Sequence, residues 1–293
     1  MEKHGTILLL VSVLVVSLLL TGLVIAKNEF ALNCEDKALN LTQDQYSSFQ
    51  IEDSVYGDPH NLHLQCTFFD RNVSYAGWFW GKPFWSAKPY FPNVVFRPLS
   101  TGQEAPLSQI SQFDIGIGAS VNGVGRYNLI LDIWFTNESR VTSDELMVFL
   151  LRHGQGMDTR EFMSDGYNMY SYYTFKPDPI RIHLFAVVGS QIPQEVNIRA
   201  MLDHMAAKGY RPTYLLKVQL GDEIFQGVGA TTITEFAVTL NGHLSAFNER
   251  GSNAVLSNTG PATIGFENIL FSQCSDRKIS SVSLLEPCDS GHE

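Results

Sequence analysis

Two acidic strand ends carry the chemistry that this sequence could perform. Ser143-Asp144-Glu145-Leu146-Met147-Val148-Phe149 and residues 214–225 each read as a β-strand with a glutamate at one end, Glu145 in the first and Glu223 in the second. A pair of carboxyl groups presented by neighbouring strands is what hydrolysis of a glycosidic bond requires. One carboxylate attacks the sugar carbon while the other, held protonated, donates its proton to the departing oxygen.

Alternation positions these residues, because successive side chains of a strand point to opposite faces. Glu145, Met147 and Phe149 share one face, and Leu146, Val148 and Leu150 share the other. In the second segment Tyr214, Leu216, Val218 and Leu220 form an apolar face, opposed by Lys217, Gln219 and Glu223. Upstream, Leu129, Leu131, Ile133 and Phe135 form a core face whose reverse carries Ile130, Asp132 and Trp134. Three acidic residues thus sit on faces turned away from three apolar stripes, the outline of a saccharide groove.

These segments resemble glycoside hydrolase family 12. Residues 127–135 followed by Asp144-Glu145-Leu146-Met147-Val148-Phe149-Leu150 are similar to that family's Asp-bearing strand and its Glu-Leu-Met-Ile-Trp-Leu strand. Residues 214–225 are similar to its Tyr-Val-Leu-x-x-Gln-x-Gly-Thr-Glu-x-Phe segment, residues 227–240 to its closing strand, and Trp78-Phe79-Trp80 to its Trp-x-Trp element. The order and spacing agree across residues 33–240. The resemblance implies an all-β fold, a two-sheet antiparallel β-jelly-roll sandwich with one covering α-helix. It also implies retaining hydrolysis of β-1,4-glucan, cellulose or xyloglucan, with no cofactor and no metal. Carried over by position, Glu145 is the expected nucleophile, Glu223 the expected general acid/base and Asp132 the carboxylate that orients the nucleophile. Trp134, Met147, Phe149, Trp78, Trp80 and Tyr56 are the expected substrate contacts.

The sequence departs from the family pattern in three places. The expected Asn-Asn-x-Trp-Gly stretch is answered only by Tyr56-Gly57, Gly-Thr-Glu has become Gly221-Asp222-Glu223, and Phe149 replaces a common Trp. The catalytic pair survives these changes, but the substrate is left open. So is the alternative of a non-catalytic carbohydrate-binding or surface-recognition module on the same sandwich. Duller readings stand beside the sharper ones. A glutamate at a strand end is ordinarily just solvated, and Trp78, Trp80 and Trp85 are more often core or rim packing than ligand platforms. Asp132, between apolar neighbours, requires a partner, for which Glu145 is a candidate. Residues 116–125 imitate a glycine-rich phosphate loop, but Val121 takes the place of the third glycine, so the stretch reads as a turn. His60 and His63 lack a third ligand nearby and read as loop histidines.

Composition frames these expectations. The 293 residues are 44% hydrophobic and 17% charged, as expected for a globular sandwich or barrel. A net charge of -10 argues against nucleic acid and anionic membrane surfaces as partners, and is indifferent to the neutral β-linked polysaccharide that the family resemblance implies. Residues 7–26 are apolar and uncharged, between Lys3 and Lys27. They read as a signal peptide cleaved after Ala26 or as a signal anchor that tethers the domain to a membrane; either exports the remainder. The 4 cysteines, Cys34, Cys66, Cys274 and Cys288, are then compatible with two disulfides. The family resemblance favours Cys34–Cys66 and leaves Cys274–Cys288. Asn40, Asn72 and Asn137 head glycosylation triplets if the source is eukaryotic. The expected organisation is a targeting segment over residues 1–26, a jelly-roll domain over 27–240 and an extension of unassigned role over 241–293. The protein is expected to be secreted or membrane-anchored, and monomeric. One helix stands out over residues 194–208, with Ile198, Met201, Leu202 and Met205 on one face and Gly209 as its stop.

Overall fold

The computed structural model of the chain describes residues 30–33, 39–43, 47–55, 64–70, 75–82, 84–98, 104–154, 161–177 and 179–247. The apolar segment 7–26, Tyr56, His60, His63, Asn72 and residues 248–293, with Cys274 and Cys288, lie outside them, as does Cys34. Among the described residues no helix is long and apolar enough to cross a membrane.

Two long strands organise the fold. β8 (Phe113–Thr136) and β14 (Tyr214–Leu240) pair antiparallel from Thr136 opposite Tyr214 to Phe113 opposite Leu240. At 24 and 27 residues each is several times the length of an ordinary strand, because it serves both layers of the sandwich. Where the layers part, Gly125 and Gly227 face each other at φ +120° and +121°, a backbone region open to glycine. A Cβ on Gly227 would fall 1.9 Å from the Val124 carbonyl oxygen, so no other residue fits without displacing the partner strand. Residues 116–125 are therefore strand rather than the turn their glycines suggest. The small residues let two strands approach and bend together.

On one side of the bend, the ends of β8 and β14 nearest Thr136 and Tyr214 form the centre of a first sheet. Beyond β14 lie β6 (Tyr90–Pro98), β3 (Ser47–Val55) and β2 (Leu39–Gln43); β7 (Ala105–Pro106) covers the end of β14. Beyond β8 lie β9 (Thr142–His153), β12 (Arg181–Val187), β11 (Met169–Phe175) and β10 (Glu161–Ser164). β12 runs parallel to β9, a departure from a purely antiparallel sandwich. The chain leaves β9, forms the β10–β11 hairpin and returns into the gap between β9 and β11. On the other side of the bend, β14 continues to β5 (Tyr75–Lys82), β4 (Leu64–Asp70) and β1 (Phe30–Asn33). There β8 pairs with β13 (Glu195–Asn197) and β14 with β15 (His243–Ala246). β15 carries the sheet past Leu240, where the sequence alone ends the domain.

Apolar stripes from both layers meet in one core. Leu129, Leu131, Ile133, Phe135, Leu146 and Val148 are all 0% exposed, as alternation predicts. Phe49 of the first sheet meets Phe236 of the second edge to face at 5.7 Å. Burial of side chains of this size contributes about 1.5–3 kcal/mol each, before the entropy of ordering them is set against it. A bulge between Leu215 and Lys217 shifts the phase of β14, so Leu215 is buried while Tyr214 and Leu216 are half-exposed. Strict alternation could not see that extra residue. The helix α1 (Ile198–Ala207) is shorter than expected, because Glu195–Asn197 is spent on β13. Asn197 Oδ1 accepts the Ala200 amide at 3.0 Å and caps it, and Ile198, Met201, Leu202 and Met205 are buried. Gly209, at φ +87°, follows its end.

Candidate active site

The three carboxylates come together on the face of the first sheet turned away from the core. β8 lies between β9 and β14. On its β9 side Glu145 stands opposite Trp134, Met147 opposite Asp132 and Phe149 opposite Ile130. On its β14 side Lys217 stands opposite Trp134, Gln219 opposite Asp132, Gly221 opposite Ile130 and Glu223 opposite Asn128. Lys217, Gln219, Gly221 and Glu223 share this face by alternation, and the β14 bulge before them reverses only the phase of residues 214–215. Gly221 is small because the Pro92 carbonyl oxygen and the Phe91 ring of β6 press against it; a Cβ there would fall 2.5 Å from that oxygen.

Hydrogen bonds fix the carboxyl groups. Trp134 Nε1 donates to Asp132 Oδ2 at 2.7 Å, and Asn128 Nδ2 donates to Glu223 Oε2 at 3.1 Å. Asp132 Oδ1 is buried without an ordinary donor. The Glu145 carboxyl stands near Asp132 and interacts with it. Asp132 and Glu145 are recessed, at 5% and 8% exposed, and Glu223 is half-buried.

Burial raises all three acids, since a desolvated carboxyl resists ionisation. Glu145 is raised furthest: the Asp132 charge, the hydrogen bond with Asp132 and the Glu223 charge add to burial, and Lys217 opposes them. Asp132 is raised by burial, and the Trp134 and Glu145 hydrogen bonds and the Lys217 charge pull it back. Each of the two therefore bears on the ionisation of the other, and Glu145 is the one held more strongly in its protonated form. Glu223 is pushed up to about 7 by burial, with the Asn128 hydrogen bond opposing and the Asp132 charge adding. A carboxylic acid still protonated near neutrality can serve as a proton donor.

The remaining expected contacts divide. Trp134 is half-buried on the carboxylate face, and Met147 beside it is half-buried against Leu184. Phe149 is 8% exposed in an apolar cluster with Phe91, Ile130 and Ala186, which makes it support beneath the face rather than an open surface. Trp78 and Trp80 do not reach the site. They are 0% and 2% exposed in the main core, where no sugar could touch them. Alternation on β5 sends both inward, and the glycines opposite leave Trp80 its space: a Cβ on Gly123 or Gly229 would meet its ring. Trp78 Nε1 donates instead to Asp222 Oδ2 at 2.8 Å. Asp222, the extra acid beside Glu223 in sequence, therefore points into the core, where Thr231 Oγ1 also donates to it. Burial pushes it up to about 7 against those two hydrogen bonds. Asn137 Oδ1 accepts the Ser139 and Val141 amides in the turn from β8 to β9. Cys66 is disulfide-bonded, with its partner outside the described residues.

Sequence reasoning missed one residue at the site: Asn128, which continues the Trp134–Asp132–Ile130 alternation by one more step. Lys217 lies on the polar face that alternation assigned it, although its part beside the carboxylates was not foreseen; its ammonium sits 5.3 Å from the centre of the Trp134 ring. A further aromatic pair, Phe84 and Trp85, is 71% and 56% exposed. Their loop is held to β14 by the Ser86 amide, which donates to the Phe225 carbonyl two residues from Glu223.

Known proteins supply an independent comparison. No protein-family model matches the chain. Endoglucanase S of Pectobacterium parmentieri is 26% identical over 261 residues, covering 81% of this chain and 97% of that protein. A family 12 xyloglucanase from Bacillus licheniformis superposes with a TM-score of 0.64 at 20% identity, over 72% of this chain and 99% of that one. Endoglucanase 3 of Trichoderma harzianum, from family GH12, gives 0.61 at 20% identity over 73% and 98%. The xyloglucanase domain of NopAA from Sinorhizobium fredii gives 0.57 at 16% identity over 72% and 99%. In the order of its motifs and in its two-sheet fold, the chain thus resembles glycoside hydrolase family 12.

Proposed function

We propose that this chain is a retaining glycoside hydrolase of the endo-β-1,4-glucanase or xyloglucanase type, with Glu145 as nucleophile and Glu223 as general acid/base. The observation that carries the proposal is the Asp132–Glu145 pair on one flank of β8, with Glu223, raised to about 7, on the same face. The endoglucanase and xyloglucanase names of its relatives support the substrate class.

In the resting site the proton lies on Glu145, the more strongly raised acid; in the proposed cycle it passes across to Asp132 when substrate binds, leaving Glu145 as the attacking carboxylate. Glu145 attacks the anomeric carbon, the bond to the departing sugar breaks, and the Glu223 proton passes to the leaving oxygen. Glu223, now ionised, takes a proton from water as the water displaces Glu145, restoring the original configuration. Trp134, locked to Asp132 through its indole N–H, presents a flat apolar surface beside the reacting ring. Asn128 holds Glu223 in place.

Export belongs to the same proposal. The Cys66 disulfide calls for an oxidising compartment, and residues 7–26 supply a signal or anchor. Asn33 lies opposite Thr67 in the β1–β4 pairing, a register that supports Cys34 as the partner of Cys66.

Reducing-sugar release on β-glucan, carboxymethyl-cellulose, xyloglucan and xylan tests the proposal, beside the Glu145→Gln variant. Activity on a β-1,4-glucan that vanishes in the variant, with the β-anomer formed first by NMR, is the expected result. Full activity in Glu145→Gln would remove the assignment, and silence on every polymer with binding intact would make the protein a recognition module.

A further inference from the structure

Behind the carboxylate face lies a second polar group that the proposed cycle leaves unused. Alternation sends Asp144, next to Glu145 in the chain, to the opposite side of β9, where it is only 5% exposed. Two side chains of β12 close on one of its oxygens: Arg181 Nη1 and His183 Nε2 each stand 3.3 Å from Oδ1. Burial by itself would raise Asp144, but the His183 hydrogen bond and the Arg181 charge help to outweigh it and hold the carboxyl below its usual range. An ionised carboxylate only accepts, so His183 Nε2 carries a proton and donates to it. The other ring nitrogen, Nδ1, meets the Tyr172 hydroxyl of β11 at 3.1 Å.

The surroundings close the group off. The Tyr210 ring lies 4.9 Å from the His183 ring and carries the Arg181 guanidinium 4.5 Å above its centre. From α1, the His204 ring lies 4.7 Å from Tyr172, and His204 and Lys208 both pair with Glu161 of β10. His183 is 0% exposed, so no substrate can touch it.

The strands joined in this way are the parallel pair, β9 and β12, and parallel pairing is slightly weaker per residue than antiparallel. Arg181 stands directly opposite Asp144 and His183 opposite Leu146, so only one register brings the carboxylate within reach of both. A slip of one residue would send Glu145 to the core face. Asp144 and Glu145 share a peptide bond, so holding the first from the core side fixes where the second emerges on the other. Misplacing a reacting group by about 1 Å costs on the order of 100-fold in rate.

We propose that Asp144 and His183 are positioning residues for Glu145: the buried Tyr172–His183–Asp144 chain fixes the end of β9 so that Glu145, on the other face, stays against Asp132. The proposal rests on the hydrolase reading for the role of Glu145 as nucleophile, while the placement of Glu145 can be measured without turnover.

The test centres on Asp144→Leu/His183→Leu, which replaces both partners by apolar side chains and leaves no buried carboxylate stranded, so the fold is expected to persist. On a soluble β-glucan, kcat should fall about 10- to 100-fold with KM within about 2-fold. Asp144→Asn keeps an acceptor for His183 and should recover most of that loss. Tyr172→Phe is the milder cut, expected to lower kcat about 3-fold, and it carries the test if the double variant does not fold. The second readout is the Glu145 carboxyl carbon followed by NMR across pH, assigned with Glu145→Gln. In the intact protein it titrates above the ordinary carboxylate range. In the double variant, and less so in Tyr172→Phe, it should move down towards that range as contact with Asp132 loosens. An unchanged Glu145 titration in folded variants overturns the proposal whatever happens to turnover, and so does an unchanged kcat. If the intact protein cleaves no polymer while the titration moves as expected, the hydrolase reading fails and the positioning of Glu145 stands.

Discussion

Replacing Asn128 with Ala, or with Leu to keep volume, removes the side chain that donates to Glu223 Oε2 at 3.1 Å. The donor stabilises the ionised form of Glu223 and so lowers its pKa, which burial has already pushed up to about 7. A hydrogen bond to a charged group is worth about 1.5–3 kcal/mol, and each pKa unit corresponds to about 1.4 kcal/mol. Water reaching the half-buried Glu223 takes back part of that loss, so a rise of about one unit is expected. The sign follows from the role. A general acid must be protonated, so raising its pKa extends the active range upward, and the basic limb of kcat/KM against pH moves to higher pH. The acidic limb, set by the Asp132–Glu145 pair on the other flank of β8, stays where it was. The assay is initial-rate hydrolysis of a soluble β-glucan or aryl cellobioside across pH 4–9, with thermal melting beside it. If both variants remain folded and the basic limb stays put or moves down, Asn128 does not tune Glu223, and Glu223 is not the acid read by that limb.

Lys217→Met removes the cation that lowers both Asp132 and Glu145, so the acidic limb is expected to move to higher pH, with Lys217→Arg restoring it. Asp222 has a folded pKa raised above its usual carboxylate value to about 7, so the wild type loses stability as pH rises through that range. Asp222→Asn should remove that loss, gaining up to about 4 kcal/mol at pH 8 and little at pH 4; parallel melting curves at the two pH values would refute the burial argument. Gly227→Ala forces a Cβ against the Val124 carbonyl at a left-handed φ, and a cost of roughly 2–3 kcal/mol or more is expected in chemical denaturation.

Alternation alone made much of the site legible. Leu129 to Phe135 and Leu146 to Leu150 alternate so regularly that core and outer faces could be assigned without coordinates, and with them the faces of Asp132 and Glu145. The spacing of Ile198, Met201, Leu202 and Met205 likewise declared a helix, because that stripe has no other way to reach a core. What failed did so for identifiable reasons. The bulge at Leu216 adds one residue that no pattern announces, and it changes which apolar side chain of β14 is buried. The glycines of 116–125 read as a turn because local conformational freedom is visible in sequence, whereas the close approach of a distant strand is not. Trp78 and Trp80 looked like sugar platforms because indoles serve both purposes, and only burial tells them apart.

The sequence by itself determined which strands could form, which face each would bury, and that Glu145, Glu223 and Asp132 would stand on outer faces; all of this depends on neighbours along the chain. Only the tertiary structure decided that those faces form one surface. β9 and β14 are joined there through β8, across nearly eighty residues of chain between Glu145 and Glu223. It also decided that Asp132 and Glu145 stand close enough to interact, and that Asp222 turns inward to Trp78. Charge regulation and surface continuity are properties of groups brought close in space, and register between strands distant in sequence is set by the packing of the whole sandwich.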